Sequence, residues 1–170
     1  DTSTCYNVDL TRQLRFCLET DTRAAPDRSI RDLQTLHLNF PRHESGIESL
    51  PQLAVEGDRV GSSPGEAVAG VQAALDDHDP DVLVVSTAAL VPLLLEAADV
   101  YGVDLKLGRR DGYTTLAGES TYTSYGNVGH SPARYAVPGR VIVDEANSFF
   151  YHESGLEGCL DLVERSWLPL

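Results

Sequence analysis

The amino-acid pattern predicts an α/β domain built on a mixed sheet. Two early segments alternate apolar and polar residues, as half-buried strands do. A continuous apolar run then lies between two stretches of helical periodicity, the mark of a central strand covered on both faces. A segment rich in Thr, Tyr, Ser and Gly follows, and it reads as an exposed β-ribbon. Strands interleaved with helices in this way point to a layered sheet with helices against it, in one domain.

The elements follow in order. Residues 13–20 (QLRFCLET) set Leu14, Phe16 and Leu18 on one face against Arg15, Cys17 and Glu19 on the other, which predicts a first strand. Residues 21–29 read as a loop from their Pro and Asp content. Leu36, Leu38 and Phe40 are in phase within 33–40 and predict a second strand. A turn region precedes LPQLAVEGDRVG, which carries a short strand into an Asp-containing turn. Ser63, Pro64 and Glu66 stand as N-cap, first helical residue and capping-box acid of a helix reaching Asp77. DPDVLVVST (79–87) is the central strand. A helix from about Leu90 to Tyr101 ends at Gly102 as its C-cap. The ribbon occupies 113–138, a strand covers Val141–Val143, and LEGCLDLVERSWL (156–168) is a last amphipathic helix.

The 170 residues carry 26 acids against 13 bases, a formal charge of -13. The bases are twelve arginines and one lysine, Lys106, and methionine is absent. Such acidity repels a phosphate backbone. Abundant Asp, Glu and Arg with almost no Lys also fits a salt-saturated cytoplasm, where charge is screened over about 3 Å at 1 M salt. The acidity therefore does not exclude a nucleic-acid role. A complete translated chain begins with Met, so Asp1 suggests an excised or processed piece. Cys5, Cys17 and Cys159 form neither a disulfide framework nor a zinc site, and they fit a reducing cytoplasm. No apolar run is long enough to span a bilayer, and no signal peptide is evident.

Neither GxGxxG nor GxxxxGK[ST] occurs, which disfavours a nucleotide-binding or other small-ligand α/β protein. No HExxH or GxSxG is present, and the five histidines are scattered. The informative stretch is Phe16-Cys17-Leu18-Glu19-Thr20. On a strand, positions 17 and 19 share one side. Two carboxylates there could hold the cation pair that clamps the attacking and leaving oxygens of a phosphodiester displacement. Here the pair is Cys17 and Glu19, and a lone carboxylate makes no such clamp. Cys17 equally suits a half-buried strand face as a small hydrophobe.

FCLET (16–20) resembles the first exonuclease motif of family B DNA polymerases, Phe-Asp-Ile-Glu-Thr. DPDVLVVSTAALVPLLLEAADVYGVD (79–104) is similar to that family's second motif region, with Leu90 where the metal-binding Asp belongs. PGRVIVDEANSF (138–149) resembles the Gly-Arg-hydrophobic-Asp segment after the β-ribbon. The three matches occur in family order over residues 12–170, and STYTSYGNVGHSPARYAVPGR most resembles the diverged, inactivated haloarchaeal branch.

The resemblance implies a ribonuclease-H-like 3'-5' exonuclease fold in a piece of a family B DNA polymerase. The third exonuclease motif and the palm would lie beyond Leu170. Its departures at Cys17 and Leu90 imply that no catalytic residue survives apart from the metal-binding Glu19, so a structural or DNA-guiding role without proofreading is expected. The alternative is a residual exonuclease using Mg or Mn on Glu19 and Asp21, if the first strand runs on. No cofactor is expected otherwise. The implied partners are DNA and the remaining polymerase domains, with no membrane, in a haloarchaeal cytoplasm. Tyr122, Tyr125, Arg134, Tyr135 and Arg140 are the candidates for DNA contact, since rings stack on bases and arginines meet phosphates. A Thr/Tyr-rich ribbon equally pairs its aromatics across strands.

Overall fold

The structure is a computed structural model that describes residues 15–16, 19–21, 33–41, 44, 46–124, 127–131 and 133–166. The chain forms two compact units, residues 33–149 and residues 1–32 with 150–170.

The larger unit is an α/β body on a five-stranded mixed sheet. Its strands are β1 (Thr35–Asn39), β2 (Ala54–Val55), β3 (Asp58–Arg59), β4 (Val82–Val85) and, after a ribbon, β9 (Val141–Asp144). Their spatial order is β3-β2-β1-β4-β9. β1, β2 and β3 form an antiparallel meander, whereas β4 runs parallel to both β1 and β9. Parallel neighbours need long crossovers, which helices α1 (Pro64–His78) and α2 (Leu90–Tyr101) supply. The alternation read over 33–40 sets the register. Leu36 pairs with Leu83, and Leu83 with Ile142, so one face presents an apolar row. That row packs with Val68, Val71 and Leu75 of α1 and Leu90 and Leu94 of α2 in one core. A 3-10 helix, Ile47–Gln52, adds Leu50, which is fully buried.

Local signals place the helix ends as expected. Ser63 Oγ accepts the Glu66 N–H at 3.3 Å, while the Glu66 carboxylate accepts the Ser62 N–H at 2.9 Å. The capping box thus closes one residue further back than its usual form. Gly102 ends α2 in the left-handed region at φ 64°. In α1, Gly70 is required by close approach: a Cβ there would lie 2.4 Å from the Val60 carbonyl oxygen. β4 matches the expectation of a strand covered on both faces, with all four residues at most 2% exposed.

Two expectations are corrected. The short strand near residue 55 is a hairpin, and its turn is Glu56-Gly57 rather than an Asp turn. Both turn residues have positive φ, 49° and 93°, the geometry that a tight two-residue hairpin needs. Asp58 belongs to β3. The strand expected over 13–20 is also not found: residues 15–16 and 19–20 are helical. The Thr20 hydroxyl donates to the Phe16 carbonyl at 2.7 Å, a helical i to i-4 bond, and Phe16 is 60% exposed. An alternating pattern carries no strand where its apolar residues are not drawn into a sheet.

Between α2 and β9 runs the ribbon. β5 (Thr114–Ala117) pairs with β8 (Arg134–Ala136), and β6 (Ser120–Ser124) with β7 (Asn127–Ser131), as two antiparallel pairs. Leu116 and Val128 of the ribbon are exposed, 67% and 73% accessible, whereas its foot is partly buried at Tyr135 and buried at Val137. The last helix, α3 (Phe149–Ser166), is broken at Gly155, whose φ of 62° and ψ of -163° are not helical. Among the described residues no helix is long and apolar enough to cross a membrane.

Candidate nucleic-acid interface

Of the positions matched to exonuclease motifs, Glu19 belongs to the smaller unit and Leu90 to the larger one. Cys17 lies outside the described residues. Glu19 is exposed in a helical segment, and Asp21 follows it in a turn at φ 53°. Residues two apart face one side on a strand but diverge on a helix, so the geometry expected for a Glu19/Asp21 cation pair is absent. Leu90 is the first residue of α2 and is fully buried in the core. Among the described residues no three His, Cys, Asp or Glu side chains gather to hold a metal.

The expected DNA-contact residues separate into different roles. Tyr125 lies outside the described residues, and Tyr122 sits on β6 opposite Gly129. Arg140, expected as a phosphate contact, is instead a structural clamp with a side chain only 6% exposed. Its Nε donates to the Pro80 carbonyl at 2.9 Å and its Nη1 to the Leu107 carbonyl at 3.1 Å. Its Nη2 meets Asp79 Oδ1 at 3.0 Å. Arg109 completes the clamp, with Nε 2.8 Å from Asp79 Oδ1, Nη2 3.0 Å from Asp81 Oδ1, and Nη1 on the Gly139 carbonyl at 2.9 Å. Two guanidinium groups thereby cover the C-terminal end of α1, where free carbonyls and the helix dipole favour cations. They fasten both feet of the ribbon, at 109 and at 139–140, to the start of β4.

The clamp gives stability a defined acid limit. The Arg109 guanidinium, assisted by Arg140, holds the Asp79 carboxyl below its ordinary value of 3.8. The His37 backbone N–H, at 2.6 Å, similarly holds Glu56 below 4.5. A depressed folded-state pKa contributes stability that is present above the unfolded value and is lost as pH falls through the folded one. Thermal melts at fixed ionic strength should therefore be level from neutrality to about pH 5 and fall below about 4.5. Asp79→Asn should make that fall shallower. An unchanged acid limb in this variant would exclude Asp79 as a contributor.

The ribbon foot presents the remaining chemistry. Tyr135 on β8 pairs opposite Thr115, which makes Tyr113 its same-face diagonal neighbour. The two rings meet edge to face, 5.4 Å apart at 87°. Beside them opens a cleft of about 160 Å³, floored by Val91, Leu95 and Val137 and rimmed by Lys106 and Arg110. Lys106 is held by Asp111 at 3.1 Å and Asp104 at 3.6 Å, which raise its pKa and occupy its charge. Arg110 is exposed and, among the described residues, has no hydrogen-bond or ion-pair partner. Arg134 is likewise exposed and unpartnered there, but as the strand neighbour of Tyr135 it points to the other ribbon face.

Comparison with known proteins finds no family model that matches this chain and no curated relative. Sequence reasoning had found Tyr135 but missed Tyr113 and Arg110. The available signal was the run Gly108-Arg109-Arg110 ahead of Gly112-Tyr113, where two adjacent arginines flank a turn into a Thr-rich strand. Only the fold assigns one arginine to the clamp and leaves the other without a partner among the described residues.

Proposed function

We propose that the chain is an exonuclease-like domain of a family B DNA polymerase that guides single-stranded DNA without hydrolysing it. One observation carries the DNA-guiding part: the Tyr113/Tyr135 pair stands beside Arg110, an exposed guanidinium with no acidic partner among the described residues, in a chain of charge -13. Rings supply sequence-tolerant stacking, and a free arginine supplies a bidentate phosphate contact. Stacking is far less salt-dependent than phosphate contact, so it suits the salt-rich cytoplasm of haloarchaeal type that the composition supports.

The ribonuclease-H-like reading is supported by the mixed sheet, whose antiparallel meander is followed by two parallel strands, and by a ribbon before the last of them. Its support does not extend to a first-motif strand at 13–20. The remaining polymerase domains are the proposed partners, and no cofactor is assigned to this segment.

Fluorescence anisotropy of a labelled single strand, followed across a salt series, tests the proposal. The chain should bind, and Arg110→Glu should weaken binding while lowering the salt slope by about 0.7, the value for one lost phosphate contact. Arg134→Glu should do less. Absence of binding at every salt would refute the DNA-guiding role. Nucleotide release with Mg²⁺ or Mn²⁺ that disappears in Glu19→Ala would instead establish the residual nuclease.

A further inference from the structure

We infer that the cleft at the ribbon foot accepts one unpaired, single-ring base from the strand, with pyrimidines preferred. The inference rests on the DNA-guiding reading and goes beyond it, since guiding needs only surface contact and this is insertion. Size is the first argument. A cavity near 150 Å³ lined by aliphatic and aromatic side chains is known to take a benzene-sized ring, and this cleft measures about 160 Å³. This volume matches a single ring more closely than the larger purine bicycle.

The lining is the second argument. Val91 and Leu95 from α2, with Leu105, Leu107 and Val137, make an apolar floor, and Val91, Leu107 and Val137 are buried. Tyr113 stays 53% exposed although its ring meets that of Tyr135 edge to face, so it keeps accessible surface beside the cleft. A flat, weakly polar ring is the ligand that such a lining recognises.

Charge placement is the third. A base enters attached to its phosphate, which must remain outside in water. Arg110 rims the cleft for that role, whereas Lys106 is committed to Asp104 and Asp111 and anchors the loop; its backbone N–H also donates to Gln72 Oε1 at 2.8 Å. Asp104 and Asp111 oppose the anion and are themselves partly neutralised by Lys106. Insertion is therefore expected to gain from salt that screens those two acids.

The test compares binding of the 170-residue chain to oligo-deoxythymidine, to oligo-deoxyadenosine and to an abasic strand of equal length. Oligo-deoxythymidine should bind roughly tenfold more tightly than the abasic strand, the scale of one stacked base. Tyr113→Ala and the cleft-filling Leu95→Trp should each abolish that ratio, with Tyr113→Phe retaining it. Binding of all three strands with equal affinity, unaltered by Tyr113→Ala, would refute the inference and leave DNA guiding intact. Failure of every strand to bind would overturn the guiding reading itself.

Discussion

Leu90→Asp is expected to unfold the 33–149 unit rather than create a metal site. Leu90 is fully buried at the start of α2, among the side chains that join both helices to the sheet. Among the described residues no metal-binding group stands there to hold an isolated carboxylate. Such a group either stays protonated at a raised pKa or drives the chain open. Losing the leucine alone costs about 2–5 kcal/mol, and the buried acid adds to that, against a whole-domain stability of about 5–15 kcal/mol. Urea unfolding followed by far-UV circular dichroism should show a midpoint far below that of the parent chain, or no cooperative transition. A folded Leu90→Asp chain that binds Mn²⁺ would place this position at a site and restore the motif alignment.

Arg140→Ala should be the next most damaging change. It withdraws donors from the carbonyls of Pro80 and Leu107, both on buried residues, and removes a partner of Asp79. Each buried polar group left unsatisfied costs about 1–3 kcal/mol, so a loss of about 3 kcal/mol is expected in the same unfolding experiment. Arg140→Lys should recover only part, because an ammonium cannot reproduce the planar fork that reaches separate carbonyls. A loss below about 1 kcal/mol would show that the ribbon feet hold without this clamp. The contrast with Arg110 is instructive: Arg110→Glu should spare the unfolding midpoint and weaken DNA binding.

Much of the fold was legible in the residues. The capping box of α1, the glycine that ends α2, the apolar run of β4 and the pairing of the ribbon all follow from short-range rules, in which a few neighbours decide the outcome. The first strand was misread because alternation at 13–20 resembles the alternation at 33–40, and only pairing distinguishes them. Leu36 and Leu38 lie against β4 and beneath helices, while Phe16 remains exposed.

The site was less legible, for a related reason. Three arginines, at 109, 110 and 140, look alike in the chain, and their roles depend on which carbonyls and carboxylates the fold brings near. Asp79 and Arg140 are 61 residues apart, a separation that no local pattern encodes. By itself the sequence determined the α/β class, the boundaries of α1 and α2, the central strand and an acidic, arginine-based composition, because these depend on periodicity, capping and residue counts. Tertiary structure alone decided that Leu90 is core, that Arg140 is a clamp, and that Tyr113, Tyr135 and Arg110 share a cleft, because burial and long-range pairing arise only when distant segments meet.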